Sequence, residues 1–171
     1  MARFASMMLF TFSLMIFSQF VYAEPEEGQF YRIRCASTKK VLSIDDTEKE
    51  GPAAIIQVVT GQRQFQHWKF VKVGNYYKIV NRKTGMAINV ANASGEQGAP
   101  VIQWDANDPG ENQQWSLEKK GDFYVIRARH SGQVLDVALE KKDRKAILIQ
   151  YPYKSGDADN QHFSLEAIKS N

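Results

Sequence analysis

The chain has 171 residues, of which 43% are hydrophobic, 12% aromatic and 24% charged, and its formal net charge is +3 at pH 7. The 22 basic and 19 acidic residues nearly balance and no lysine or arginine block stands out, which argues against a nucleic-acid-binding face. A single cysteine, Cys35, excludes an internal disulfide framework.

Arg3 precedes an apolar run, Met7 to Val21, and Val21-Tyr22-Ala23 leads directly into Glu24-Pro25-Glu26-Glu27. This pattern reads as a secretory signal peptide over residues 1–23, cleaved after Ala23. The run is short for a membrane span of about 20 residues and no stop-transfer charge follows, so no stable membrane insertion is expected. The remainder, residues 24–171, suits one domain with its own core.

Three segments then repeat, at approximately 28–72, 73–120 and 121–169. Each opens on an alternating strand: Tyr31-Arg32-Ile33-Arg34, Tyr77-Lys78-Ile79-Val80 and Tyr124-Val125-Ile126-Arg127. A turn leads to a second strand: Val41-Leu42-Ser43-Ile44, Ala87-Ile88-Asn89-Val90 and Val134-Leu135-Asp136-Val137. A polar loop precedes the third: Ala54 to Val58, Pro100 to Trp104 and Ala146 to Tyr151. Each repeat closes on a Gln-x-aromatic strand: Gln66-His67-Trp68, Gln113-Gln114-Trp115 and Gln161-His162-Phe163, with the aromatic residues 47 and 48 positions apart. Glycine and proline fall mainly in the connections, including Gly51-Pro52 and Pro109-Gly110.

Four short strands per repeat, about twelve in all, predict an all-β fold, and the threefold period points to a closed arrangement in which each unit supplies a third of the core. Trp68, Trp115 and Phe163 are then core residues, and the glutamine beside each satisfies backbone groups at a turn. Cys35 alternates with Arg32 and Arg34 and reads as a small buried hydrophobe rather than an intermolecular disulfide partner. His67 and His162 are expected to face outward or be half-buried. The lysine pairs, among them Lys141-Lys142, read as solvated charge in turns or loops.

Two runs carry a family resemblance. Ser131-Gly132-Gln133-Val134-Leu135-Asp136-Val137 with Gln150-Tyr151-Pro152 and Asn160-Gln161-His162-Phe163 resembles the ricin B-chain-like β-trefoil lectins with Q-x-W repeats. Thr84-Gly85-Met86-Ala87-Ile88-Asn89-Val90 with Gln103-Trp104-Asp105 and Asn112-Gln113-Gln114-Trp115 resembles them too. The resemblance covers essentially all of residues 24–171 and implies a β-trefoil of three four-stranded repeats, of the disulfide-free type. It also implies a secreted lectin that takes galactose or N-acetylgalactosamine glycans as partners.

In that family a binding repeat uses an Asp ending the second strand, an aromatic residue on the third and an Asn before the Gln. A carboxylate accepts from two neighbouring sugar hydroxyls, an aromatic face packs on the apolar C–H patch of a pyranose, and an Asn amide both donates and accepts. The third repeat has the full set, Asp136, Tyr151 and Asn160, supported by Gln161. With Asp136 at a loop mouth, Asp136→Ala is expected to remove binding and leave the fold intact. The second repeat has Trp104, Asn112 and Gln113, but Asn89 replaces the Asp, so a weaker site is expected, with Asp105 as a compensating carboxylate. The first repeat has Ser43, Val58 and Phe65 at those positions and reads as structural, with Asp45 and Asp46 out of register.

No metal-ligand spacing, phosphate-cradling glycine motif or catalytic constellation is evident, so neither an enzyme nor a cofactor is expected. Two alternatives stay open. One is a secreted β-trefoil that binds protein, such as a protease inhibitor; the other is the glycan-targeting subunit of a multi-chain toxin. Asn92-Ala93-Ser94 is an N-glycosylation sequon in a polar loop, meaningful in a eukaryotic source. The oligomeric state is left open.

Overall fold

The alternation of apolar and polar residues becomes twelve short strands in the computed structural model, which describes residues 24–45, 53–138 and 146–169. The expected signal peptide, Gly51-Pro52, Asp46 and Lys141-Lys142 lie outside the described residues. The first repeat forms β1 (Phe30–Cys35), β2 (Val41–Ile44), β3 (Ile55–Val58) and β4 (Trp68–Val73). The second forms β5 (Tyr76–Asn81), β6 (Ala87–Val90), β7 (Val101–Trp104) and β8 (Trp115–Lys120). The third forms β9 (Phe123–Ala128), β10 (Val134–Val137), β11 (Leu148–Tyr151) and β12 (Phe163–Ala167).

The first and last strands of the repeats close a six-stranded antiparallel ring. β1 pairs with β4 and β12, β4 with β5, β5 with β8, β8 with β9, and β9 with β12. The middle strands form three hairpins, β2–β3, β6–β7 and β10–β11. These hairpins meet through the bridges Ala54↔Ile102, Ile56↔Ile147 and Pro100↔Ile149. This is a β-trefoil.

The core repeats its chemistry three times. Ile33, Ile79 and Ile126 come from the first strands, Leu42, Ile88 and Leu135 from the second, and Ile55, Val101 and Leu148 from the third, all at most 1% exposed. Trp68, Trp115 and Phe163 are each 0% exposed. The indole N–H of Trp68 donates to Leu42 O at 3.0 Å and that of Trp115 to Ile88 O at 3.1 Å, so each tryptophan fills volume and pairs a buried carbonyl. Cys35 is free and fully buried.

The Gln-x-aromatic phrases are strands only from the aromatic residue onward. Gln66, Gln113 and Gln161 each close a 3-10 turn instead, at Gln64–Gln66, Glu111–Gln113 and Asp159–Gln161. The reason is local: the next amide, of His67, Gln114 or His162, donates back to Gln64, Glu111 or Asp159 rather than to a ladder.

His67 departs further from expectation. It is 4% exposed, and neither ring nitrogen has a hydrogen-bond partner. Burial, reinforced by Arg32 and Arg82, holds its pKa below the ordinary 6.5. The unfolded chain therefore takes up a proton that the folded one refuses. The stability held above pH 6.5 should fall as the pH drops toward the lowered native value, by at most about 1.4 kcal/mol per pH unit. The second repeat shows the remedy, since Gln114 stands at the same position and accepts from Arg129 Nη1 at 2.8 Å. Urea denaturation between pH 7 and 5 should show a shallower loss of stability in His67→Gln than in the wild type. Equal slopes would exclude His67 as the source.

Candidate functional site

Each hairpin carries a polar or small residue at the third position of its first strand: Ser43, Asn89 and Asp136. All three are buried, at 5%, 3% and 2% exposure. The residue ending the hairpin's second strand is Val58, Trp104 or Tyr151, and the 3-10 turn brings Phe65, Asn112 or Asn160 against the hairpin. The fold thus gathers, repeat by repeat, the residues that the sequence pattern grouped.

The glutamine of each turn clamps the loop that follows the aromatic position. Gln66 accepts from Gly61 N at 2.7 Å and donates to Val59 O at 3.2 Å. Gln161 accepts from Lys154 N at 2.9 Å and donates to Pro152 O at 3.0 Å. Gln113 donates to Asp105 O at 2.8 Å, but here the Asp105 side chain accepts from Asn107 N at 2.9 Å and leaves Gln113 Oε1 without a partner. Two expectations change. Gln113 and Gln161 are 0% exposed, so they position the site rather than touch a ligand. Asp105 Oδ1 accepts from Asn107 in its own loop, and the residue does not line the second-repeat cleft.

The carboxylate that lines the second-repeat cleft is Asp108, whose Oδ1 accepts from Gly110 N at 2.8 Å. A cleft of about 290 Å³ opens at the second repeat, lined by Asn89, Asn92, Ile102, Trp104, Asp108 and Asn112. Trp104 is 43% exposed. Asn112 Nδ2 donates to Asn89 Oδ1 at 2.7 Å and to Val90 O at 2.9 Å. Asn89 therefore accepts one of the Asn112 bonds without supplying a charge. Lys78 fixes the loop from outside, donating to Ala106 O and Asp108 O at 2.6 Å each.

The third repeat is built alike but filled. Asn160 Nδ2 donates to Asp136 Oδ1 at 2.7 Å and Gln161 Nε2 donates to Oδ2 at 2.8 Å. The Lys154 ammonium lies 3.0 Å from the same Oδ2 and donates to Asn160 Oδ1 at 3.0 Å. It also lies 5.6 Å from the Tyr151 ring centroid. Asp136 is thus a buried linchpin rather than a residue at a loop mouth. Truncating it leaves buried amides one bond short, at about 1–3 kcal/mol each, so the expectation of an untouched fold is corrected.

In the first repeat Phe65 packs against the core, and Ser43 Oγ donates to Ile44 O at 3.0 Å. The corresponding cleft, about 370 Å³, is walled by Ile44, Ile56, Val58, Val59 and Phe65. Val58 and Phe65 stand there in place of the aromatic residue and the asparagine of the other two repeats. Counted from the aromatic position, Gly61, Asn107 and Lys154 coincide, as do Gln62, Asp108 and Ser155, so neither Asp108 nor Lys154 recurs across the three loops.

Among the described residues, no group of three or more His, Cys, Asp or Glu could hold a metal ion, and no helix is long and apolar enough to cross a membrane.

A family model described as ricin-type beta-trefoil lectin domain-like matches residues 17–104 and 111–171. Among solved structures, the chain is similar to the designed threefold-symmetric protein ThreeFoil, with 37% identity over 81% of this chain and 99% of that one, at a TM-score of 0.75. It is similar to an exo-beta-1,3-galactanase from Clostridium thermocellum, with 32% identity over 85% of this chain but only 31% of the galactanase, at a TM-score of 0.76. The Rhizoctonia solani agglutinin shares the fold at 19% identity, over 81% of this chain and 94% of that one, at a TM-score of 0.70. No curated protein sequence matches the chain.

Proposed function

The chain belongs to the ricin-type β-trefoil lectin domain-like family, and from that premise we propose that it is a secreted, non-enzymatic lectin. Its ligands in this reading are glycans of the galactose or N-acetylgalactosamine type. The second repeat supplies the open site. The observation that carries this is the half-exposed Trp104 indole standing beside the Asn112 amide and the Asp108 carboxylate in one cleft. An indole face packs on the C–H patch of a pyranose while amide and carboxylate orient its hydroxyls. The galactanase is named for a galactose polymer, which favours galactose as the sugar, though this chain matches only 31% of that enzyme. Secretion rests on the N-terminal pattern of residues 1–23.

A glycan array tests the reading. Binding concentrated on glycans with terminal galactose or N-acetylgalactosamine is expected. An array without binding overturns it and turns attention to a protein ligand.

Gly110 offers a finer check. Its φ of −55° suits any residue, so backbone strain is not at issue. A Cβ there would overlap Asn112 Oδ1 and lie 3.0 Å from Asp108 Oδ1. Gly110→Ala should push the Asn112 amide off Asn89 and weaken glycan binding by about tenfold, the loss of one good hydrogen bond. Calorimetric titration showing unchanged affinity would mean that Asn112 does not contact the sugar.

A further inference from the structure

Lys154 sets the third repeat apart from the second. We propose that Lys154 is the specificity-determining residue of the third repeat, closing it to neutral sugars and fitting it to glycans that bear a carboxylate or sulfate. The proposal rests on the carbohydrate-binding reading above.

A neutral pyranose needs oxygens on Asp136 and Asn160 that its hydroxyls can reach, and the Asp136 side chain is enclosed beneath the Lys154 ammonium. Asp136 Oδ1 already takes the Asn160 amide, and Oδ2 takes Gln161 and the Lys154 ammonium. Asn160 Oδ1 takes the same ammonium. The Asp136 side chain is 3% exposed and that of Lys154 is 37% exposed. Displacing the ammonium would leave a buried carboxylate without its counter-ion. Hydroxyl groups return only weaker, half-charged bonds in its place.

An anionic sugar needs no displacement. An ammonium has three N–H donors. Two are taken by Asp136 and Asn160, which leaves one on a side chain that is 37% exposed. An acidic oxygen accepting it would form a chain of alternating charge, ligand anion to Lys154 to Asp136, with Tyr151 alongside. The second repeat has no counterpart. Asn107 stands at the corresponding position, uncharged, with its amide turned to Asp105 Oδ1 at 3.1 Å. The two repeats would then sort neutral from acidic sugars within one chain.

The test is an NMR titration of the 15N-labelled protein with methyl galactoside, galacturonate and galactose-6-sulfate. The Trp104 indole N–H reports on the second repeat and the Asn160 side-chain amide on the third. Asn160 should respond to one or both acidic sugars, about tenfold or more tightly than to the galactoside, and the response should weaken with added salt. Which acid it prefers identifies the anionic group. In Lys154→Gln, acidic binding should be lost and the galactoside should begin to shift Asn160. Equal binding of galactoside and acids by the wild type, or acidic binding that survives Lys154→Gln, would overturn the proposal. A response at Trp104 with none at Asn160 overturns it and spares the lectin reading. Silence at both sites removes both.

Discussion

Trp115→Ala should cost about 3–5 kcal/mol, the range for truncating a buried large aromatic. Small domains are stable by only about 5–15 kcal/mol, so the variant should approach the edge of folding. The indole is fully buried and its N–H pairs Ile88 O, a carbonyl that ends up in a dry interior. Alanine therefore opens a cavity and strands a polar group together. The third repeat already holds Phe163 at the equivalent place, so Trp115→Phe should fit and cost only the orphaned carbonyl, about 1–3 kcal/mol. Urea midpoints at constant m-value measure both. A shift under about 1 kcal/mol for the alanine variant would mean the core is not packed as described.

Trp104→Ala should have the opposite profile. Its side chain is 43% exposed at the end of β7, and stability should move by no more than about 0.5 kcal/mol. Glycan binding at the second repeat should weaken by about 2 kcal/mol, the apolar contact of a large aromatic, or roughly thirtyfold. A site that binds a monosaccharide weakly would then be silent in calorimetry. Retained affinity in a folded Trp104→Ala protein would place the sugar elsewhere.

The scaffold was legible because its signals are local and repeated. Alternation placed the strands, and the recurring aromatic marked the core. The site was legible only in part. The grouping of Asn89 with Asn112, and of Asp136 with Asn160, follows from the family pattern. Their burial does not, because strand alternation leaves open that the hairpin strands are enclosed on both faces: β2, β6 and β10 are buried at every position. Lys154 was invisible for another reason. Its partners are 6 and 18 positions away on other elements, reached by a long flexible side chain that no periodicity constrains. Asp108 was not legible because Asp105, beside Trp104, is the nearer carboxylate in sequence, and only the path of the loop puts Asp108 in the cleft. His67 was misplaced since its burial is set by the tertiary packing around the 3-10 turn and not by its spacing along the chain.

The pairing of β1 with β12 has a consequence for how the molecule comes into being. Five residue pairs, from Tyr31↔Ala167 to Cys35↔Phe163, join the first and last strands, and Arg34 grips Glu166 across 132 residues of sequence. Contacts of such separation slow folding, because the entropy of closing a long loop is lost before the contact returns anything. On the ribosome Arg34 is made 132 residues before its partner Glu166 exists. Throughout that wait β1 offers an unpaired edge to any neighbour, and β12 is the strand that shuts it.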